Sequence, residues 1–265
     1  MNDCSSNTRD EIPIEKIIAE KLCEIEVREQ VRILYAVESG SRAWGVASPD
    51  SDYDVRFVYL RPLDGYLKLE KTTDVIEWQL DEVLDINGWD LKKALQQFHK
   101  GNATLFEWGR SPVVYKTTKA WERIWTAAKE YFSEKDALYH YWASAKNTYL
   151  HHLIAPQVMY KKYIYALRPL LACRYIEETH STPPVLFSEL AGQCLPQYLK
   201  QETAQLLEVK SLTKEQALHP PLPGIQNYIK TELERLEGHV KAMPDDRNPD
   251  WKMLNRLFKE HVVNI

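Results

Sequence analysis

The spacing of apolar residues changes in kind just after Pro112. Before this point, β-branched and aromatic runs typical of strands alternate with segments of helical periodicity. After it, strand-like runs are nearly absent and helical spacing predominates. This order predicts an α+β fold, with a small mixed β-sheet domain with helices over residues 1–115 and an α-helical domain over residues 116–265.

The individual segments can be assigned in the same way. In the first part we predict a helix over 12–30, strands over 31–37, 53–60, 74–80 and 82–86, and a short helix for which Asp90 is the N-cap. In the second part we predict helices over 118–131, 135–152, 156–178, 187–193, 197–209 and 225–242, separated by prolines.

Charge and cysteine content exclude several classes of protein. The net charge of -4 over 265 residues argues against wholesale coating of nucleic acid, although a local basic groove is compatible with it. The four cysteines form no Cys-x-x-Cys pair, so neither a disulfide scaffold nor a structural zinc is supported. The polar segment 1–13 has no apolar core of a signal peptide, and no run approaches the ~18 apolar residues of a membrane span. We therefore expect a cytoplasmic protein with no membrane association.

One segment carries the residue types of a phosphoryl-transfer site. The strand 31–37 runs into Gly40-Ser41, ten residues follow, and Asp52 and Asp54 then open the next predicted strand. Alternate residues of a strand point to the same face. Two adjacent carboxylates repel each other unless a cation lies between them, and a hard divalent ion such as Mg²⁺ meets that need. A Gly-Ser turn offers backbone N–H groups to a phosphate.

The ordered set resembles the nucleotidyltransferase superfamily typified by DNA polymerase β. The signature of that superfamily is an apolar residue, Gly-[Gly/Ser], nine to thirteen residues and Asp-apolar-[Asp/Glu]. Here Tyr53 replaces the usual aliphatic residue between the acids. More narrowly, the runs ESGSRAWGVASPDSDYDVRFVYL, DINGWDLKKAL, EWGRSPVVY and KKYIYALRPLLACRYIEE resemble the RlaP-like (also YcgL-like) predicted nucleotidyltransferases, from about Glu38 to Glu178.

The resemblance implies a third metal-binding carboxylate on a neighbouring strand. We favour Asp85, which lies in an apolar strand just before a turn. Asp90 is the alternative, although its place before an amphipathic helix suits an N-cap better. Asp81 and Glu77 are lesser candidates. Together with Asp52 and Asp54, this residue would hold Mg²⁺, or alternatively Mn²⁺, and help to deprotonate the acceptor.

Arg42, Arg56 and Trp44 are near the acids in the sequence, and each allows two interpretations. Arg42 either contacts the triphosphate or balances the charge of the acids, and the sequence leaves both open. For Arg56 we favour charge balance with a neighbouring acid. For Trp44 we favour packing over stacking on a base.

In the helical half, Lys161, Tyr165 and Arg168 recur at helical spacing, so they share one stripe. Such a stripe is either a solvated face or a wall for the phosphates of a nucleotide. The resemblance favours the second, because the family's run falls here as Lys162, Tyr163, Tyr165, Arg168 and Pro169. The predicted nucleotide-binding residues are Gly40, Ser41, Arg42, Lys162, Tyr165 and Arg168.

We therefore expect an enzyme that transfers an NMP, with ATP among the candidate NTP donors, to a hydroxyl or phosphate. The acceptor implied by the resemblance is an RNA end, as in RNA repair. A protein side chain or a small molecule is the alternative acceptor. A nucleotide-binding regulatory partner with low turnover is the alternative function.

Overall fold

The computed structural model describes residues 13–79 and 83–263. The segment 1–12, which includes Cys4 and most of the stretch judged to lack a signal peptide, lies outside the described residues. So does Asp81, one of the lesser candidates for the third acid. In the described part, no helix is both long and apolar enough to cross a membrane.

A five-stranded mixed sheet forms the centre of the first half. The strands are β1 (Arg32–Glu38), β2 (Tyr53–Leu60), β3 (Val75–Gln79), β4 (Leu84–Asp90) and β5 (Val114–Lys116), in the order β3-β4-β2-β1-β5. The pair β2 and β4 is parallel, and the other neighbouring pairs are antiparallel. Parallel pairing brings the first residues of β2 and β4 to the same edge of the sheet.

Both faces of the sheet are covered, which is why β2 is apolar on both sides over most of its length. On one face, helix α1 (Ile14–Glu29) packs through Ile18, Leu22 and Ile25. On the other face lie α4 (Leu91–His99) and α5 (Ala103–Trp108). Two short helices, α2 (Gly40–Ala43) and α3 (Leu63–Leu67), follow β1 and β2.

The second half is helical, as the patterning predicts. Its helices are α6 (Lys119–Ala128), α7 (Glu134–His152), α8 (Tyr160–Thr179), α9 (Phe187–Cys194), α10 (Lys200–Leu212), α11 (Pro223–Ala242) and α12 (Lys252–Val263). Helix α8 contributes Ile164, Leu167 and Leu171 to the core of this half. The α+β class is confirmed.

Several elements were not predicted from the sequence, among them α3, α5, β5 and α12. Helix α8 also begins at Tyr160 rather than at 156, because Val158–Met159 pairs as a two-residue strand (β6) with Leu218–His219 (β7).

Helices α6 and α12 share a hydrophobic cluster with the sheet, to which α12 contributes Leu254 and Val262. The end of the chain therefore returns to the first half, and the division at 115/116 stays a prediction.

Candidate active site

Two features favour glycine at position 40, where the chain turns from β1 into α2. The φ of Gly40 is +62°, in the left-handed region that side chains rarely adopt. A Cβ atom added there would also collide with Oδ2 of Asp54. The turn and the second acid are thus in direct contact, as the sequence spacing predicts.

Asp54 and Asp85 are register partners in the parallel pair of β2 and β4. Asp52 lies immediately before β2 and is exposed. Partial burial raises the pKa of Asp54, and the charges of Asp85 and Asp52 raise it further, while Arg56 opposes them. The three predicted acids therefore meet at one edge of the sheet, beside Gly40.

Arg56 lies on the same face of β2 as Asp54, two residues further along. Its Nη2 donates to Oδ1 of Asp54 at 2.9 Å and to Oδ2 of Asp85 at 2.8 Å. The predicted charge balance is present, and it includes an acid 29 residues away in the chain.

The other candidates for the third acid lie elsewhere. Asp90 is at the far end of β4, five residues or about 16 Å beyond Asp85 along the strand. Its side chain accepts from the backbone N–H of Lys92 at 2.7 Å, so the predicted N-cap is confirmed. Glu77 accepts from the side-chain amide of Asn87.

Glu38 is a site residue that the sequence analysis did not select. It ends β1, is 1% exposed, and accepts from the backbone N–H of Asp54 at 2.7 Å. The hydroxyl of Tyr115 donates to its other oxygen. Burial raises the pKa of Glu38 despite these hydrogen bonds. A carboxylate at the end of an otherwise apolar strand was the available signal.

Arg42 holds the loop that leads to the acids. Its guanidinium donates to the carbonyls of Ser51 at 2.7 Å and Asp52 at 3.0 Å, and lies over the ring of Tyr53. Arg42 thus bonds backbone carbonyls and not a carboxylate, so it fixes the loop without the direct ion pair that charge balance would give. Its contact with a triphosphate stays a prediction.

A second missed residue, Glu215, connects this loop to the helical half. Its carboxylate accepts from the hydroxyl of Ser51 and from Nζ of Lys161 at 2.9 Å. The backbone N–H of Glu215 in turn donates to the side chain of Asp50. Burial raises the pKa of Glu215, but the hydrogen bonds from Ser51 and Lys161 outweigh it, so the pKa lies below its usual value. We call these contacts the Glu215 strap.

Tyr165 of α8 lies near Asp54 and Asp52, and Lys162 lies beside the ring of Tyr165. Burial raises the pKa of Tyr165 to about 12, and the nearby charges of Glu215, Asp54 and Asp52 add to this effect. The hydroxyl therefore stays protonated at neutral pH and can donate a hydrogen bond. The Nζ of Lys162 lies 5.6 Å from the Tyr165 ring centre. Desolvation, with the charge of Lys161, lowers the pKa of Lys162.

Comparison with known proteins identifies the family. The sequence model of the RlaP family, described as the RNA repair pathway DNA polymerase beta family, matches residues 14–260. The chain belongs to the RlaP family. It is also 38% identical over 250 residues to an uncharacterized protein, YcgL, of Bacillus subtilis (strain 168), covering 94% of this chain and 96% of that protein.

One solved structure, a nucleotidyltransferase-like protein from Exiguobacterium sibiricum 255-15, is 13% identical and has a TM-score of 0.31. The alignment covers 86% of this chain and 75% of that one, and at such a TM-score it supports no further conclusion. Family membership makes this protein a polymerase β-like nucleotidyltransferase with an NTP substrate.

In this RlaP-family protein, the structure does not bring Arg168 to the surface of the site. Arg168 is 1% exposed, and its guanidinium bonds Glu107 at 2.8 Å and the carbonyl of Val185 at 3.1 Å. The ring of Trp44 lies beneath it, and Tyr165 contacts the same ring edge-to-face. Arg168 therefore supports the residues behind the site, and its contact with a phosphate stays a prediction. Trp44 packs as predicted.

The donor set suits a hard divalent ion, because carboxylate oxygens are the preferred ligands of Mg²⁺. Asp52 and Asp85 are close enough to Asp54 for their negative charges to raise its pKa. A bound cation would relieve this repulsion between the carboxylates. Among residues 13–79 and 83–263, however, no three His, Cys, Asp or Glu side chains are arranged to hold an ion. In this arrangement Asp54 and Asp85 are both paired with the guanidinium of Arg56.

Proposed function

We propose that this protein transfers an NMP from an NTP to a hydroxyl or phosphate of an acceptor, in a reaction that depends on Mg²⁺ or Mn²⁺. The single observation that carries the proposal is the pairing of Asp54 with Asp85 across parallel strands, with Asp52 and Gly40 beside them. Asp52, Asp54 and Asp85 would hold the metal, which when bound neutralises charge on the phosphates and on the attacking oxygen.

The protein's own residues would bind and orient the substrates. The backbone of Gly40 and Ser41 approaches the acids closely enough for a triphosphate at the turn to lie next to them. Tyr165 would offer a protonated hydroxyl near the acids, and Lys162 would add a positive charge beside the ring of Tyr165. Arg42 keeps the backbone of Ser51 and Asp52 in place, so that Asp52 points into the same region.

For the acceptor we propose an RNA end, which is supported by the family's description as part of an RNA repair pathway. The overall charge of -4 means that RNA would be held at a local site and not by the whole surface. A protein side chain and a small molecule are the other acceptors to be tested, and a regulatory partner with low turnover is the alternative function.

The experiment is a transfer assay with each of the four α-labelled NTPs. The acceptors are RNAs with 3′-hydroxyl, 3′-phosphate and 5′-phosphate ends, together with a cell extract. We expect label to move to RNA in Mg²⁺ and not in EDTA, and the Asp54→Asn variant to lose at least about 100-fold in rate, the size typical of losing a group that stabilises transition-state charge. Arg235→Gln, which breaks an ion pair with Glu177 and Glu232 on α8 and α11, is the control.

Label on a protein or a small molecule would reassign the acceptor. No transfer by the wild-type protein, together with NTP binding that Asp52→Asn leaves unchanged, would exclude the proposed catalytic site.

A further inference from the structure

Arg56 occupies the space between two of the acids that would hold the metal. Its side chain is 18% exposed, whereas those of Asp54 and Asp85 are 33% and 47% exposed. One nitrogen, Nη2, makes both carboxylate contacts at 2.9 and 2.8 Å. Contacts this short between charged groups are charge-assisted hydrogen bonds.

The position of the guanidinium has an electrostatic reason. Two carboxylates that are register partners on adjacent strands repel each other, and a cation between them removes the repulsion. Nη2 takes one oxygen of each carboxylate, so a divalent ion that bridged Asp54 and Asp85 would lie beside the guanidinium, whose positive charge opposes that of the ion. Arg56 and the ion therefore compete for the two acids.

From this geometry we infer that Arg56 is a built-in counter-cation that a divalent metal must displace from Asp54 and Asp85 before the site is loaded. The inference rests on the proposed function, because it takes the metal and its ligands from there. It adds a positioning residue that sets metal affinity.

The rest of the Arg56 side chain shows how the displacement can occur. Its Nη1 lies 3.1 Å from the carbonyl oxygen of Val55 and 3.3 Å from that of Asp85, so the guanidinium has backbone acceptors that do not depend on the carboxylates. Only the Nη2 contacts need to break. The released N–H groups would stay at the edge of the site, where they can meet the phosphates of the incoming NTP.

The test measures binding of Mn²⁺ alone, by electron paramagnetic resonance and calorimetry, to the full-length protein. We expect Arg56→Gln to bind Mn²⁺ about tenfold more tightly than the wild type, because hydrogen bonds to charged groups no longer compete with the ion. The gain should disappear in the double variant Arg56→Gln/Asp54→Asn.

Arg42→Gln is the matched control for net charge. It also removes one arginine beside the acids, but that guanidinium bonds the backbone carbonyls of Ser51 and Asp52 and no carboxylate oxygen. We expect it to tighten Mn²⁺ binding far less than Arg56→Gln does. Equal tightening in both variants would overturn the inference, because loss of charge would then explain the effect.

Unchanged or weaker binding by Arg56→Gln would also overturn it, as would no detectable Mn²⁺ binding by either wild type or variant. If Arg56→Gln does not fold, NMR of the arginine side chains of the wild type tests whether the metal displaces Arg56. Mg²⁺ should shift the signals of the Arg56 guanidinium and speed the rotation of that group. Signals that stay unchanged while Mg²⁺ binds would overturn the proposal.

These outcomes are separate from those of the transfer assay. A protein that transfers label but shows no effect of Arg56→Gln on metal affinity keeps the proposed function and loses this inference. Metal binding that is unaffected by Asp52→Asn and Asp54→Asn would instead remove the proposed site itself.

Discussion

Gly40 is the residue at which the backbone and the chemistry of the site meet. The positive φ turns the chain from β1 into α2, and the missing side chain leaves room for the carboxylate of Asp54. A side chain at this position would be strained by the positive φ and would have to displace the carboxylate of Asp54. A substitution of Gly40 should therefore change both the stability of the turn and the position of the Asp54 carboxylate.

We predict that Gly40→Ala lowers the free energy of unfolding by about 1–3 kcal/mol, the range for a non-glycine residue forced into a rare backbone region. The same change should reduce the rate of label transfer, because the new methyl group displaces the Asp54 carboxylate. Urea unfolding and the transfer assay measure the two effects.

Gly238→Ala is the control for this substitution. Gly238 lies in the interior of α11, and a Cβ atom added there would meet nothing within 4 Å. Alanine should stabilise that helix by roughly 0.5–1 kcal/mol. A Gly40→Ala protein as stable as the wild type would show that the turn has a different conformation in solution.

At the scale of the elements, the Glu215 strap joins the loop before β2 to helix α8. The Glu215 carboxylate accepts from both Ser51 and Lys161. Because these two residues are the chain neighbours of Asp52 and Lys162, Glu215 ties the segment that carries Asp52 to the part of α8 that carries Lys162. Lys210 adds a parallel link, because its buried ammonium donates to the hydroxyl of Ser48 in the same loop.

We predict that Glu215→Gln lowers stability by about 1–2 kcal/mol at pH 7, since hydrogen bonds to a charged group are lost. The folded protein favours the ionised form of Glu215, whose pKa lies below its usual value of 4.5. Its contribution is therefore full above pH 4.5 and is lost as the pH falls through the lower, folded value.

The difference in unfolding free energy between wild type and Glu215→Gln should accordingly shrink as the pH is lowered from 7 to below 4.5, as followed by urea unfolding at a series of pH values. Glu237→Gln is the control, since Glu237 forms exposed pairs with Lys146 and Lys241, and it should change stability little. A gap that stays constant with pH would mean that the strap does not form.

Helix α12 packs against the sheet half of the protein, although it lies at the end of the sequence. Leu254 is 1% exposed and belongs to the cluster shared by the sheet, α4 and α6. We predict that Leu254→Ala destabilises the protein by about 2–5 kcal/mol, through lost burial and the cavity that it leaves. Thermal and urea unfolding provide the measurement.

The neighbouring residue supplies the comparison for α12. Met253 is 37% exposed, so Met253→Ala should cost much less than Leu254→Ala. Equal effects of the two changes would indicate that α12 is not docked on the sheet half.

At the scale of the whole molecule, a buried ion pair connects elements distant in the chain behind the site. Arg168 of α8 bonds Glu107 of α5, which also accepts from the hydroxyl of Tyr141 in α7 at 2.9 Å. Arg168 further bonds the carbonyl of Val185, and Phe187 donates its backbone N–H to the carbonyl of Trp44. The turn after β1 is thus held against the helical half.

We predict that Arg168→Met destabilises the protein by about 3–5 kcal/mol, because Glu107 would be left without its counter-ion in a mostly buried place. The double variant Arg168→Met/Glu107→Gln should lose less than the sum of the two single losses. A double-mutant cycle by urea unfolding measures this coupling, and strictly additive losses would contradict it.

Part of this architecture was predictable from short stretches of sequence. The Gly40–Ser41 turn and the strands that flank it depend on neighbouring residues, and backbone periodicity is a local property. The same holds for Asp90 as the cap of α4, since a cap and its helix are adjacent in sequence. The predicted alternation of Asp52 and Asp54 on one strand is not observed, because β2 begins at Tyr53. Asp85 does lie on a strand next to β2, as predicted, but at the beginning of β4 and not just before a turn. Its role as a metal ligand stays a prediction.

The contacts of Arg56, Glu215 and Arg168 could not be predicted from short stretches of sequence. Ser51 and Glu215 are 164 positions apart, and Arg168 and Glu107 are 61 apart, so no local pattern relates them. A charged residue at helical spacing looks the same in a sequence whether it faces phosphate or a buried carboxylate. Strand order and helix docking decide between these outcomes, because only they determine which opposite charge comes within hydrogen-bonding distance and how much water remains around it.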